Sequence, residues 1–339
     1  VEINDVTDLM ITSLTISRCL ALTSKSLLAL NSVKNVVLEG CHINNNFCSD
    51  STIAFHPIMV TIFDTVSVHR STFNDNGGVG NAASFSSLDN VSFISGTNLS
   101  INHSQFNKTH AQTASSIVGL TLTAVENVTI DSCEANETTI DIALPTTNED
   151  AGALGIALID VNNAQLNNID AHKSTHNINK GPGAFSNGPQ GINCLAVKNS
   201  TLKHLCALES RVIKVDQATG DNPATGIRIN ACENITLSEC EGSHSFSAGD
   251  KAFGIALLAS PNAGVKIVDS KLHANKGEKV GVGLYALGNN FISVDNSCAS
   301  HNTTSEPDGV GYGFVFEFNN ESTINDLITK HNKTAGLFI

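Results

Sequence analysis

Gly254-Ile-Ala-Leu-Leu258 is one copy of a segment that this chain writes six more times. The others are Gly119-Leu-Thr-Leu-Thr123, Gly155-Ile-Ala-Leu-Ile159, Gly191-Ile-Asn-Cys-Leu195, Gly226-Ile-Arg-Ile-Asn230, Gly283-Leu-Tyr-Ala-Leu287 and Gly313-Phe-Val-Phe-Glu317. Successive glycines stand 36, 36, 35, 28, 29 and 30 residues apart, which is the period of a repeat architecture. Each copy is a short apolar run bounded by turn residues, and such a run predicts a strand.

A second strand follows each opening one after a short turn, usually with Asn. Asn127-Val-Thr-Ile130, Asn234-Ile-Thr-Leu237, Val265-Lys-Ile-Val268 and Ile292-Ser-Val294 are the clear copies. Asn35-Val-Val-Leu38, Val66-Ser-Val68 and Asn90-Val-Ser-Phe93 read as earlier ones. Next comes Ser or Cys, any residue, an apolar or small residue, and then Asn three later. Cys41-His-Ile43 with Asn46, Ser71-Thr-Phe73 with Asn76, Ser270-Lys-Leu272 with Asn275 and Ser297-Cys-Ala299 with Asn302 fit it. Cys133-Glu-Ala135 and Cys240-Glu-Gly242 are partial copies. Strand alternation puts the Ser/Cys and the apolar residue on one inward face. Asn suits the turn because it tolerates left-handed dihedrals and bonds nearby backbone.

Several short strands per repeat with no helix between them predict an all-β chain coiled as a single-stranded parallel β-helix. Each strand then pairs with its equivalent one coil along. The crossover preference of parallel strands makes the solenoid right-handed. The expectation is one domain over residues 1–339 with roughly eleven coils, less regular over 1–116 and clearly Gly-led over 117–339. Gly336-Leu-Phe-Ile339 matches the opening of another first strand, so a longer solenoid is expected.

Composition agrees with a thin solenoid. Hydrophobic residues are 41%, aromatic residues 5% and charged residues 15%, Trp is absent, and Asn occurs 38 times. A net charge of −13, with 15 Lys and 4 Arg, offers nothing to neutralise phosphates, which argues against nucleic acid. No apolar run reaches membrane-spanning length, so no transmembrane segment is expected. The nine Cys contain no Cys-x-x-Cys pair, so zinc-ribbon sites are excluded by spacing.

On these repeats the chain resembles the right-handed parallel β-helix repeat proteins of the broad pectate-lyase-like superfamily, in an Asn-rich surface-protein form. The resemblance covers the whole chain. It implies the fold but not the chemistry, since that fold carries lyases, hydrolases, epimerases, tailspikes and adhesins. The lyase pattern Arg-x-Pro-x-x-Arg surrounds none of Arg18, Arg70, Arg211 or Arg228. Of the polygalacturonase motifs Asn-Thr-Asp, Asp-Asp, Gly-His-Gly and Arg-Ile-Lys, Arg211-Val-Ile-Lys214 echoes only the last. The epimerase Asp-Pro-His is absent too.

Cys19, Cys41, Cys133, Cys206 and Cys240 read as one buried ladder interchangeable with Ser, rather than a redox or metal column. His273, His301 and His331 fall near one turn and read as a solvated stack. Eleven Asn-x-Ser/Thr sequons arise where a turn Asn precedes a strand Thr or Ser. Insertions at 138–153, 174–190, 209–225, 243–252 and 303–312 should gather on one edge and form any binding surface. Its candidate binding residues are Glu149, Asp150, Asp216, Asp221, Asp250, Glu306 and Asp308. No catalytic residue, metal site or cofactor is assigned. The expected role is a non-catalytic extracellular, cell-surface or virion-surface module, adhesin-like or fibre-forming, with a glycan or protein partner or with lateral or end-to-end self-assembly. A polysaccharide lyase or glycoside hydrolase is the alternative.

Overall fold

The structure is a computed structural model and describes residues 1–21, 26–49, 54–78, 88–114, 116–143, 152–179, 188–215, 223–258 and 263–339. One coil runs through Ala224–Asn230, Glu233–Ser238, Glu241–Ser243 and Phe246–Ser247. The next repeats it as Lys251–Leu258, Lys266–Val268, Lys271–His273 and Lys276–Gly277. Each of these four legs pairs in parallel with its equivalent one coil along. The same parallel pairing runs from Glu2–Asn4 to Ala335–Phe338. The chain is therefore a parallel β-helix. No helix among the described residues is long and apolar enough to cross a membrane.

In-register pairing stacks like on like. Leu120, Ile156, Ile192, Ile227, Ile255, Leu284 and Phe314 form one continuous inward column of the first leg, all buried. Each such side chain contributes about 1.5–3 kcal/mol on burial. The leading glycine is required by the narrow waist beside this column. A Cβ on Gly226 would lie 2.6 Å from the Gly254 carbonyl oxygen and 2.9 Å from that of Ala207.

Side chains that bond their own kind hold the corners. The amides of Asn275 and Asn302, both fully buried, donate to Asn302 and Asn332 Oδ1 at 3.0 and 2.9 Å. At an outer corner, Asn127, Asn163, Asn199 and Asn234 take left-handed φ of 50 to 56° and pass amide hydrogen bonds between coils. The sequons of Asn90 and Asn302 are closed in the folded chain, since both residues are fully buried.

The third leg carries the expected Ser/Cys ladder. Cys41 N–H donates to Ser71 Oγ at 3.1 Å and Cys240 N–H to Ser270 Oγ at 3.4 Å. Two cysteines assigned to it stand elsewhere. Cys206 pairs with Asp170 and Glu241 on the outer face, and buried Leu205 takes the inward side. Cys19 stands in the corner Asn column, where its N–H donates to Asn46 Oδ1 at 3.0 Å. Asn90-Val-Ser-Phe93 belongs to the first leg, with Val91 and Phe93 paired to Leu120 and Leu122. The second-leg segment of that coil is Asn98-Leu-Ser-Ile101, because Leu99 and Ile101 pair with Val128 and Ile130. The expected insertions also begin as a fourth leg, with Thr139–Ala143, Thr175–Asn179 and Arg211–Val215 in a separate ten-stranded sheet.

All nine cysteines are free, and six of them are buried. Burial pushes the Cys133 and Cys232 thiols up to about 11 and Cys240 up to about 12. A polar thiol reagent should therefore modify no more than Cys19, Cys206 and Cys298 in the native protein. Release of more than three equivalents before unfolding would contradict this packing. Inside the fourth leg, His176 is 1% exposed, and its Nε2 accepts the Ala153 N–H at 3.0 Å. Burial lowers its pKa to about 3. The unfolded chain therefore takes up a proton that the folded chain refuses, and stability falls as pH drops from about 6.5 towards 3. The contribution approaches about 1.4 kcal/mol per pH unit. His176→Gln, which keeps an acceptor, should flatten that limb in denaturant titrations at pH 4 and 7.

Candidate functional site on the outer face of the glycine-led sheet

Residues one before and two after each leading-glycine slot of the first leg lie off the inward column and form two further columns on the outer side. One runs through Asp89, Val118, Leu154, Gln190, Thr225, Phe253, Val282 and Tyr312. The other runs through Met59, Ser92, Thr121, Ala157, Asn193, Arg228, Ala256, Tyr285, Val315 and Phe338. An outer face is ordinarily solvated, yet Gln190, Asn193, Thr225 and Ala256 are at most 2% exposed. The middle of this outer face is therefore covered rather than open to solvent.

Its N-terminal end is polar. His56 Nδ1 lies 3.1 Å from Ser92 Oγ, and Ser92 Oγ donates to Asp89 Oδ2 at 3.1 Å. With the hydroxyl proton committed to the carboxylate, the imidazole Nδ1–H is the donor to Ser92. The result is an imidazole–hydroxyl–carboxylate chain across two coils. It differs from a nucleophilic triad, in which serine and aspartate engage opposite imidazole nitrogens, because here both lie on Nδ1. Burial raises the Asp89 carboxyl above its usual range, against the opposing attraction of His56 and the Ser92 hydrogen bond. Such a group can hold and pass a proton.

The C-terminal end is apolar. A groove of about 330 Å³ is floored by Val282 and Val315, within the size range of small-molecule sites. The Phe253 and Tyr285 rings stack with centroids 5.0 Å apart, and Tyr312 and Phe338 are tilted at 5.5 Å. Tyr285 Oη donates to Glu317 Oε2 at 2.9 Å, and Lys251 also lines the groove. Apolar walls with a few polar groups at the rim can hold a ligand that has an apolar face and hydroxyls.

Three residues of the expected acidic edge are described, and none of them lines this groove. The Asp250 carbonyl accepts Lys279 N–H and Val280 N–H, both at 3.0 Å, just before groove-lining Lys251. The Glu306 and Pro307 carbonyls accept Lys333 Nζ at 2.5 and 2.9 Å, and exposed Asp308 stands two residues before groove-lining Val310. Glu149, Asp150, Asp216 and Asp221 lie outside the described residues. Of the turn histidines, the His301 and His331 rings lie 5.0 Å apart, and His273 Nδ1 sits 3.0 Å from Ser300 Oγ. His56, Asp89, Phe253, Tyr285 and Tyr312 escaped the sequence reading. The signal that marks them is their offset, one residue before or two after the leading-glycine slot, where the alternation breaks at the glycine.

No family model and no curated protein matches the chain. Among solved structures it is similar to the A-module of mannuronan C-5 epimerase AlgE6 from Azotobacter vinelandii, at 11% identity over 91% of this chain and 88% of that one, with a TM-score of 0.34. It is also similar to PfbA, a surface adhesin of Streptococcus pneumoniae, at 10% identity over 99% and 84%, with a TM-score of 0.31. The catalytic domain of a GH87 alpha-1,3-glucanase is similar at 9% identity over 97% and 68%, with a TM-score of 0.28. Likenesses this weak assign no residue a role.

The polar cluster has a measurable cost. A carboxyl whose pKa is raised by folding binds its proton more tightly in the folded state. Stability therefore falls as pH rises above about 4, the usual carboxylate value, and levels off above the raised one. Asp89→Asn keeps the shape and removes the ionisation. It should be more stable than the parent at pH 7, with the gap closing towards pH 4. Thermal melts at both pH values check this, and an Asn variant less stable at pH 7 would show that attraction to His56 outweighs burial.

Proposed function

We propose that this chain is a non-catalytic surface module that binds a glycan in the groove at the C-terminal end of the outer face of its Gly-led sheet, on the exterior of a cell or virion. The groove at the C-terminal coils is the observation that carries this reading. A sugar has apolar C–H faces and a polar rim. The groove offers a matching arrangement, with Val282, Val315 and the tyrosine rings inside and Lys251 and Glu317 among its lining groups. Asp250 and Asp308 are near groove-lining Lys251 and Val310 in sequence, and their carboxylates could accept sugar hydroxyls. The net charge of −13 favours a neutral or cationic polysaccharide over an anionic one.

A polysaccharide-acting enzyme is the second reading, and the His56–Ser92–Asp89 chain favours it. A carboxyl whose proton affinity is raised by burial, linked through a hydroxyl to an imidazole, is the kind of pair that general acid–base cleavage uses.

One experiment separates the two. The protein is screened on a glycan array, and each bound polysaccharide is then incubated with it and assayed for new reducing ends. Binding without product, weakened at least tenfold by Tyr312→Ala or Lys251→Ala and untouched by Asp89→Asn, is the expected result. Product that disappears with Asp89→Asn or His56→Asn would replace the first reading by the second. Binding indifferent to the groove variants would remove the groove as the site.

A further inference from the structure

We infer that Asp170, His172 and Cys206 form a binding site for a divalent transition-metal ion of the zinc or cobalt type, on the outer face of the third leg. The inference is independent of the glycan reading.

Local geometry makes the site. Asp170 and His172 flank buried Ala171 and so leave the strand on the same outer side. Cys206 is the register partner of Asp170 in the next coil, one sheet spacing away. One donor atom from each residue, a carboxylate oxygen, an imidazole nitrogen and the thiol sulfur, lies within 4.8 Å of the other two. His172 Nε2 and Asp170 Oδ1 are 3.7 Å apart, too far for a hydrogen bond. Two ligands on one tetrahedral ion at about 2.0–2.1 Å stand about 3.3 Å apart, so closing on a metal asks for only a small movement.

Two further observations support it. His172 Nε2 is shielded from water, yet no hydrogen bond satisfies it among the described residues. Its backbone is pinned, because His172 N–H donates to Asn136 Oδ1 at 2.7 Å. The donor set is also selective. Thiolate plus imidazole plus carboxylate suits zinc and its neighbours and disfavours calcium or magnesium, which take oxygen. The remaining coordination position is left to water or to another ligand. Bound metal would clip two successive coils at one edge of the solenoid.

Cobalt(II) titration of the metal-stripped, reduced protein tests the site. Thiolate coordination gives a near-ultraviolet charge-transfer band with visible bands of a four-coordinate ion, expected to saturate at one equivalent. Cys206→Ser should abolish the charge-transfer band, and His172→Ala should weaken binding at least tenfold. Zinc should raise the melting temperature of the parent and of neither variant. Both side chains are partly exposed, so the variants should fold, and far-ultraviolet circular dichroism checks this. The exposed His301–His331 pair can hold cobalt without a thiolate band, which keeps it distinguishable. Absence of the band at millimolar cobalt, or a band that survives Cys206→Ser, would overturn the inference.

Discussion

Every feature of this molecule answers to one constraint, the in-register parallel pairing of each residue with its equivalent one coil along. The spacing is about 4.8 Å, so each side chain must tolerate its own kind as nearest neighbour. Aliphatic residues do so by packing. Asn does so because one amide both donates and accepts, and Ser does so through its hydroxyl. Charges do so poorly, and several meet an opposite charge, although Glu134 and Asp170 are register partners of like charge. Lys34 pairs with Asp64 and Lys198 with Glu233, both register partners at exposed positions. Such exposed pairs contribute about 0–1 kcal/mol, so they relieve repulsion more than they build stability.

The constraint also divides labour between faces. Inward positions are committed to the core, and the glycine slot to the waist. Outward positions of the first leg carry no such duty, and there the character changes along the axis, from His56 and Asp89 through Gln190 and Asn193 to Phe253 and Tyr312. A surface that varies along its length while the core stays uniform is where selective recognition can arise without cost to the fold.

The Gly-led strands and the inward Ser/Cys positions were legible in the sequence because uniform inward columns repeat as text. What was misread lay where the columns are not uniform. Cys206 looked like a ladder cysteine because the Cys-x-apolar pattern shifts by one residue there, with Leu205 filling the slot. Asn90 looked like a turn residue opening a second strand, but it occupies the glycine slot of the first leg and bonds inward to the Phe73 carbonyl. The fourth leg was taken for loop because it is short, as at Phe246–Ser247 and Thr303–Thr304. Of the acidic edge, Asp250 and Asp308 stand within two residues of groove-lining Lys251 and Val310 in sequence, but no described member lines the groove. The groove itself was hidden because its walls come from four different coils.

The same geometry bears on what missing motifs mean in such a chain. In a globular enzyme, neighbouring catalytic residues often share a local segment. In a solenoid, neighbours along the axis are separated by a whole coil, as His56 and Ser92 are by 36 residues and Asp170 and Cys206 by 36. A site built down the axis leaves no compact signature, since its members sit on different turns of the sequence. The absence of lyase, hydrolase and epimerase motifs therefore excludes those particular local arrangements and no wider chemistry. For a fold of this kind, residues have to be read down the register before they are read along the chain, and it is down the register that the imidazole, hydroxyl and carboxylate of the polar cluster become neighbours.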